Sequence, residues 1–332
     1  MADAMQLCVG CKACKSECPM SIDMAKMKTE VQAARVAKDG LKLRERLIAS
    51  LPRLAPLAAK VAPFANLFNR YAGLLGFSRS RNLPRFHPSF KGKGCGDVLL
   101  FADTFNCHFD PATLRAAQRV IERSGRSVGV LSVPGRALCC GRTYLAAGLT
   151  DKARAELTRT TDAFRTALAA GKTIVGLEPS CTLMFRDEAV NLIPNWTEEL
   201  GAQILTFAEY ITLNPPKGLA MADTQVLVHG HCHQKAMGVA QATVDALNAI
   251  DGAQAKMIES SCCGMAGAFG YQTETAEVSR QMAELSLAPA VRAAAPDTMI
   301  VADGFSCRCQ IRDLTQREAK SLAIALDQAF TR

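Results

Sequence analysis

The stretch SSCCGMAGAFG, Ser260 to Gly270, sets two adjacent cysteines, Cys262 and Cys263, in front of a glycine-rich turn. Neighbouring cysteines rarely bond to each other, because a disulfide needs their Cα atoms further apart than adjacent residues usually allow. The pair therefore asks for another partner, and its surroundings show which kind. Cys107, Cys139–Cys140 and Cys181 form one set of thiols; Cys232, Cys262–Cys263 and Cys307 form another. The offsets are 125 residues from Cys107 to Cys232, 123 from Cys140 to Cys263 and 126 from Cys181 to Cys307. Offsets this regular mark an internal duplication. Local context repeats with them: Cys107–His108 matches Cys232–His233, and CCGR at Cys139 matches CCGM at Cys262.

Short apolar, β-branched-rich runs supply the scaffold of each half. DVLLFADTF (97–105), SVGVLSV (127–133) and TIVGLEP (173–179) read as strands, with helical patterns between them. QVLVHGH, AKMIES and TMIVADG repeat the arrangement in the second half. Alternating strands and helices predict an α/β fold with two mostly parallel sheets. Ligands of such sheets gather outside the carboxyl ends of the strands, where these cysteines fall. Four thiolates from three strand ends suit an iron–sulfur cluster or zinc. The candidate metal ligands are therefore Cys107, Cys139, Cys140, Cys181, Cys232, Cys262, Cys263 and Cys307, with Gly141 and Gly264 giving clearance beside the pairs. GMAGAFG lacks both the Lys-Ser/Thr ending of a phosphate loop and the dinucleotide spacing.

At the other end of the chain, CVGCKACKSECP places Cys8, Cys11, Cys14 and Cys18 before Pro19. This C-x2-C-x2-C-x3-C-P spacing is the bacterial ferredoxin run, in which three close thiolates wrap one corner of a [4Fe–4S] cube. Small Gly10 and Ala13 let the backbone come near. A zinc knuckle would place its ligands in two separated pairs. In two-cluster ferredoxins the fourth cysteine serves the other cluster, and no second such run exists here. Either Cys18 closes a lone cluster or an upstream half-motif is missing; a run beginning at residue 8 favours the second.

The chain has 332 residues, 49% of them hydrophobic, enough for two ordinary domains with real cores. Its 14 cysteines without an export signal favour metal or redox chemistry over a disulfide framework. The net charge of +8 reads as spread along the chain, with no basic arm that would argue for nucleic acid. The apolar segment 51–77 is broken by prolines and charges, and is expected to be helical pieces packed on the protein rather than a helix lying in a membrane plane.

These residues resemble the cysteine-rich CCG domains of the electron-transfer subunits of glycolate oxidase, anaerobic glycerol-3-phosphate dehydrogenase, lactate-utilisation proteins and heterodisulfide reductase. With LCVGCKACKSECPMSIDMAKMK in front, the chain resembles most the C-terminal iron–sulfur part of FAD-linked oxidases acting on D-2-hydroxy acids. The resemblance implies a ferredoxin-like segment at 1–40, a helical linker at 41–94 and CCG domains at 95–215 and 216–332. It implies 4Fe–4S clusters in this chain, and FAD only on a missing domain or partner. The implied role is an electron relay from a flavoprotein dehydrogenase, for D-lactate, D-2-hydroxyglutarate or glycolate, to a quinone or other carrier. The implied location is cytoplasmic, with at most peripheral contact at the inner face of the membrane. A disulfide-reducing subunit and a non-redox metal scaffold are the alternatives. The heterodisulfide-reductase pattern ends each set with C-x2-C, whereas Glu178 and Gly304 stand at those first positions here, which weakens the disulfide reading.

The remaining residues carry lesser expectations. His229, His231 and His233 bracket Cys232, where an imidazole could ligate a cluster or tune its potential by hydrogen bonding. Alternation, if the strand runs that far, puts all three on one face opposite Cys232 and favours structural hydrogen-bonding for at least two of them. His108 and His233 are the better candidates because the duplication carries both. Arg142 and Arg308 stand beside the expected anionic clusters. Cys95 reads as a small buried apolar residue and Cys309 as a candidate substitute ligand. Met24, Met27 and Val31, at helical spacing, read as a core stripe.

Overall fold

The computed structural model describes residues 2–92 and 94–330. Residues 1, 93 and 331–332, which belong to the segments 1–40, 41–94 and 216–332 expected above, lie outside them. The β-branched runs form two four-stranded sheets. The first contains β1 (Val98–Phe101), β2 (Val128–Val130), β3 (Thr173–Gly176) and β4 (Ile204–Thr206); the second contains β5 (Ala220–Val228), β6 (Asp251–Met257), β7 (Met299–Val301) and β8 (Ala319–Lys320). Strand order is β2-β1-β3-β4 in one and β6-β5-β7-β8 in the other, and every pairing is parallel. The duplication is thus a duplication of topology. The edge strands β4 and β8 are three and two residues long, too short to stand out in the sequence.

The two sheets are fused rather than tethered. Val98, Leu100 and Val175 of the first share one buried cluster with Val226, Val228 and Val301 of the second. The last helix, Leu322–Ala329, lies against helix Pro111–Arg123 of the first half. Each fully buried aliphatic side chain there contributes about 1.5–3 kcal/mol, so neither half buries its apolar face without the other. A second cluster is built on Phe101, Phe164, Phe185 and Trp196, with Phe164 and Phe185 edge-on at 4.6 Å. The indole N–H of Trp196 donates to the Phe185 carbonyl at 2.7 Å.

β1, β3 and β5 deliver the chain to short helices that start on a capping group, and these starts set Cys107, Cys181 and Cys232. Asp103 accepts the N–H groups of Phe105 and Asn106 ahead of Cys107. Glu178 caps the helix Pro179–Thr182 that holds Cys181, and His231 caps Cys232–Ala236. After β2 and β6 the chain runs as loop into the cysteine pairs. Gly141 and Gly264 follow those pairs at φ 77° and 80°. Each donates its N–H to the first sulfur of its pair, at 3.3 Å to Cys139 and 3.4 Å to Cys262.

Three expectations are corrected here. The strand before the histidines ends at Val228, so alternation stops before His229, and Cys232 opens a helix. No residue of helix Met24–Asp39 is buried and Met27 is 42% exposed, because this helix rests on the protein instead of entering a core. Cys95 is exposed in the turn before β1. The segment 51–77 does form helices, Leu51–Lys60 and Ala62–Phe68 with a 3-10 turn after them. It turns alanines inward (Ala55, Ala59, Ala62, Ala72) and leaves Leu57, Phe64, Phe68 and Leu74 outside.

A methyl group at residue 264 would meet the Ser279 carbonyl at 2.4 Å, and one at residue 141 the Ala153 carbonyl at 2.9 Å. The left-handed backbone adds about 1–2 kcal/mol for any residue with a Cβ. Urea unfolding is expected to show Gly264→Ala destabilised by about 2 kcal/mol or more, and by more than Gly141→Ala.

Candidate metal centre

In the second half all four thiols meet. Cys232, Cys262, Cys263 and Cys307 follow one another closely enough for each thiol to shift the next. Cys262, Cys263 and Cys307 are buried and Cys232 is half-buried. Cys262, with burial, pushes the Cys232 thiol up. Cys307, relieved by Cys263, is still raised by burial. Four thiols gathered in one largely buried place are the soft donor set that a bound cation takes. The Lys235 ammonium already leans over this set: it donates to the carbonyl of Ser260 and, at 3.2 Å, to its hydroxyl. Its charge acts on all four sulfurs.

The first half is different. Cys139, Cys140 and Cys181 lie close enough for each thiol to shift the next, and Cys181, although relieved by Cys140, is pushed by burial up to about 11. Cys107 takes no part. Its thiol points to the Phe90 carbonyl at 3.8 Å, and burial followed by the charge of Asp103 raises it to about 11. Helix position explains the difference. Cys232 is the first residue of its helix, four residues after its strand, whereas Cys107 is the fourth residue of helix Thr104–His108, six after its strand. Three further helical residues turn a side chain through most of a revolution. Asp103 occupies the vacated side, hydrogen-bonded to Asn106 Nδ2 at 2.7 Å. Burial and then the neighbouring charge of Glu178 raise Asp103 to about 7.

Glu178, where a fifth cysteine would stand, spans the two halves. It accepts the Ser180 hydroxyl at 2.8 Å and, across the interface, the N–H of Phe305 at 2.8 Å. The rings of Phe105 and Phe305 stack beside it, 5.9 Å apart. Arg142 and Arg308 are both drawn into the interior. Arg142 donates to the Ser180 carbonyl at 2.9 Å and pairs with Glu188. Arg308 binds the carbonyls of Ala302 and Asp303 and the Asp110 carboxylate. Cys309, two residues beyond Cys307 on one helix, faces away into a core with Tyr271.

The N-terminal run closes against the second half. Cys11 lies near enough to Cys8, Cys14 and Cys232 for charge on each to raise it, burial being the larger cause. Cys18 is not in that group; the backbone N–H groups of Ile22, Met20 and Ser21 surround its sulfur and hold it below the ordinary thiol value. The loop between is fixed at two points. Nε2 of His233 lies 3.1 Å from the Gly10 carbonyl. Lys12, only 2% exposed and in left-handed backbone at φ 65°, reaches Asp187, Glu188 at 3.2 Å and Asp23 at 3.5 Å. Burial works against the Lys12 charge, and Glu188 and Asp187 more than offset it.

The cysteine-rich CCG domain profile matches residues 101–186 and 226–312, just over half of the chain. The chain belongs to the CCG cysteine-rich domain family. It is 24% identical over 340 residues to the D-2-hydroxyglutarate dehydrogenase of Escherichia coli K12, an alignment covering 93% of this chain and 33% of that protein. The D-2-hydroxyglutarate dehydrogenase of Pseudomonas putida is 25% identical over 350 residues, covering 96% and 33%. One of the subunits of the E. coli K12 anaerobic glycerol-3-phosphate dehydrogenase is 26% identical over 238 residues, covering 70% and 59%. The chain thus spans about a third of the length of the D-2-hydroxyglutarate dehydrogenases it matches.

Sequence reading singled out the thiols of the CCG repeats but missed what surrounds them: Lys12, Asp187, Glu188 and Lys235 are scattered charges without a motif. Replacing Lys12 by methionine removes the one cation shared by three little-exposed carboxylates. Lys15 and Lys26 still face Asp187 and Arg142 still pairs with Glu188, so the loss is expected below the roughly 3–5 kcal/mol of a fully uncompensated buried pair. Thermal unfolding is expected to fall accordingly, and thermolysin is expected to release the first 40 or so residues before it attacks either repeat.

Proposed function

We propose that this chain is the iron–sulfur electron relay of an FAD-dependent D-2-hydroxy-acid oxidoreductase, taking electrons from a flavoprotein domain or partner and passing them to a quinone or another carrier. The observation that carries this reading is the seating of the ferredoxin-type run against the second CCG repeat, Cys11 beside Cys232 and His233 on Gly10. It is supported by relatives whose names are those of dehydrogenases and of one part of a dehydrogenase.

The residues fit such groups. Cys8, Cys11 and Cys14 face one another around a loop that Gly10 and Lys12 bend into left-handed backbone, the approach a [4Fe–4S] cluster needs. Cys18, set apart in its nest of N–H groups, is the ligand offered to a second cluster. Cys232, Cys262, Cys263 and Cys307 hold the group of the second repeat. Clusters move one electron at a time, which gives a flavin reduced by a hydride the single-electron outlet it requires. The protein's own part is to fix distance and charge. Lys12 and His233 hold the loop in place, Lys235 lies over the second-repeat thiols, and the half-buried rings of Phe105 and Phe305 stack across the interface.

Anaerobic purification is expected to give about eight irons per chain with matching sulfide. Cys11→Ala and Cys263→Ala are each expected to lose about half of that, while Cys107→Ala loses none. About four irons in the parent chain, unchanged in Cys263→Ala, would remove the second repeat from the relay.

The exposed helices favour contact with a membrane surface. Among the described residues no helix is long and apolar enough to cross a bilayer. Phe64, Phe68 and Leu74 are 72%, 71% and 79% exposed. Moreover, the charge is not spread evenly along the chain as first read: between Lys42 and Lys91 stand ten lysines and arginines and one acid, Glu45. An apolar face among cations matches an anionic headgroup layer. Sedimentation is expected to show binding to anionic vesicles, release by salt, and loss in a Phe64→Ser, Phe68→Ser double variant. Equal indifference to anionic and neutral vesicles would overturn this and leave the face to the flavoprotein.

A further inference from the structure

His229 is the one histidine of its trio whose placement points at a metal. It is 1% exposed, and its Nε2 has no hydrogen-bond partner. A ring nitrogen of His229 and the Sγ atoms of Cys263 and Cys307 all lie within 4.8 Å of one another. The other ring nitrogen, Nδ1, is 3.0 Å from the Ser260 hydroxyl. That hydroxyl accepts from Lys235 at 3.2 Å, and its own hydrogen is directed at the Ile258 carbonyl at 3.5 Å. Its oxygen is therefore left to receive the Nδ1 proton. The tautomer that results carries a bare lone pair on Nε2, the form in which an imidazole binds metal with its other nitrogen tied down.

The neighbouring histidines stand differently. His231 Nδ1 accepts the N–H of His233 at 3.2 Å and lies 3.9 Å from Cys232 Sγ, while His233 Nε2 is on Gly10 and its Nδ1 has no partner; neither joins the group that His229 forms with Cys263 and Cys307. The ring of His231 also excludes a fifth cysteine from the second repeat, because a side chain at residue 304 would meet His231 Cδ2 at 2.5 Å. In the first repeat the offset that relates Cys107 to Cys232 puts Thr104 opposite His229. We infer that His229 is a metal ligand through Nε2, so that the second repeat holds its metal by a mixed imidazole and thiolate set while the first repeat has no such donor.

This inference rests on the second repeat being a metal site, and iron content and imidazole ligation are read separately in its test. The metal-free full chain is loaded with zinc ions and measured by X-ray absorption at the zinc edge. The wild type is expected to show one imidazole contribution with nitrogen at about 2.0–2.1 Å. His229→Ala is expected to lose it, His231→Ala to keep it, and His229→Cys to bind with a shell of sulfur alone. Ser260→Ala retains the ring and releases its orientation, and is expected to weaken zinc binding about 10–100-fold in competition with a chelating dye. An imidazole signal that survives in His229→Ala, its absence from the wild type, or full affinity in Ser260→Ala would overturn the assignment. If the imidazole is found but the anaerobic chain holds only about four irons, the ligand assignment stands and the relay through this repeat fails.

Discussion

The arrangement depends on one buried cation. Lys12 stands in the middle of the ferredoxin-type run, and its ammonium is spent on Asp187 and Glu188 of the first repeat and Asp23 of its own segment. Three carboxylates so little exposed are unfavourable without it, and a lysine so deeply buried is unfavourable without them. Each therefore fixes the other, and the fixed point lies between two cysteines. Arg142 extends the same network from Glu188 to the thiols of the first repeat. With Lys12 anchored in the first repeat, the loop it belongs to presents Gly10 and Cys11 to the second. The clamp joins sequence segments about 175 residues apart.

Duplication gave both halves the same strand order and the same N–H···S turn beside each cysteine pair, yet not the same site. A shift of two residues in where the strand hands over to the helix moves Cys107 out of the group that Cys232 joins. Asp103 and Asn106 fill the space with a hydrogen-bonded pair that needs no metal. Glu178 then uses the first repeat to support the second, capping its own helix and binding the first N–H of the helix that carries Cys307. Divergence of this kind leaves one repeat with its four thiols gathered and the other as its frame.

Much of the fold was legible because it is written in local chemistry. β-Branched runs at regular spacing gave six of the eight strands, and the repeated cysteines gave the pairing of the halves. Two-residue and three-residue edge strands carry too little pattern to be read. The histidine alternation failed for a specific reason: the rule holds only inside a strand, and β5 stops at Val228. The methionine stripe failed because helical spacing states that a face exists and not that anything covers it. Within the site, the cysteines were visible as ligand candidates and their grouping was not. Whether a thiol joins its neighbours is decided by helix phase at Cys107, and the sulfur of Cys18 is met by backbone N–H groups; neither leaves a mark in spacing. Lys12, Lys235 and His229 depend wholly on tertiary neighbours.

The central claim is that the N-terminal cysteine run and the second repeat work together as one electron relay. The most direct measurement is the magnetic interaction between their reduced centres, read from line splitting and relaxation in electron paramagnetic resonance of the anaerobic, dithionite-reduced chain. The account predicts that the signal of the N-terminal centre is broadened and relaxes faster when the second-repeat centre is reduced, that Cys307→Ala abolishes the effect, and that Cys181→Ala preserves it. Independent signals, or an interaction lost in Cys181→Ala and kept in Cys307→Ala, would contradict it.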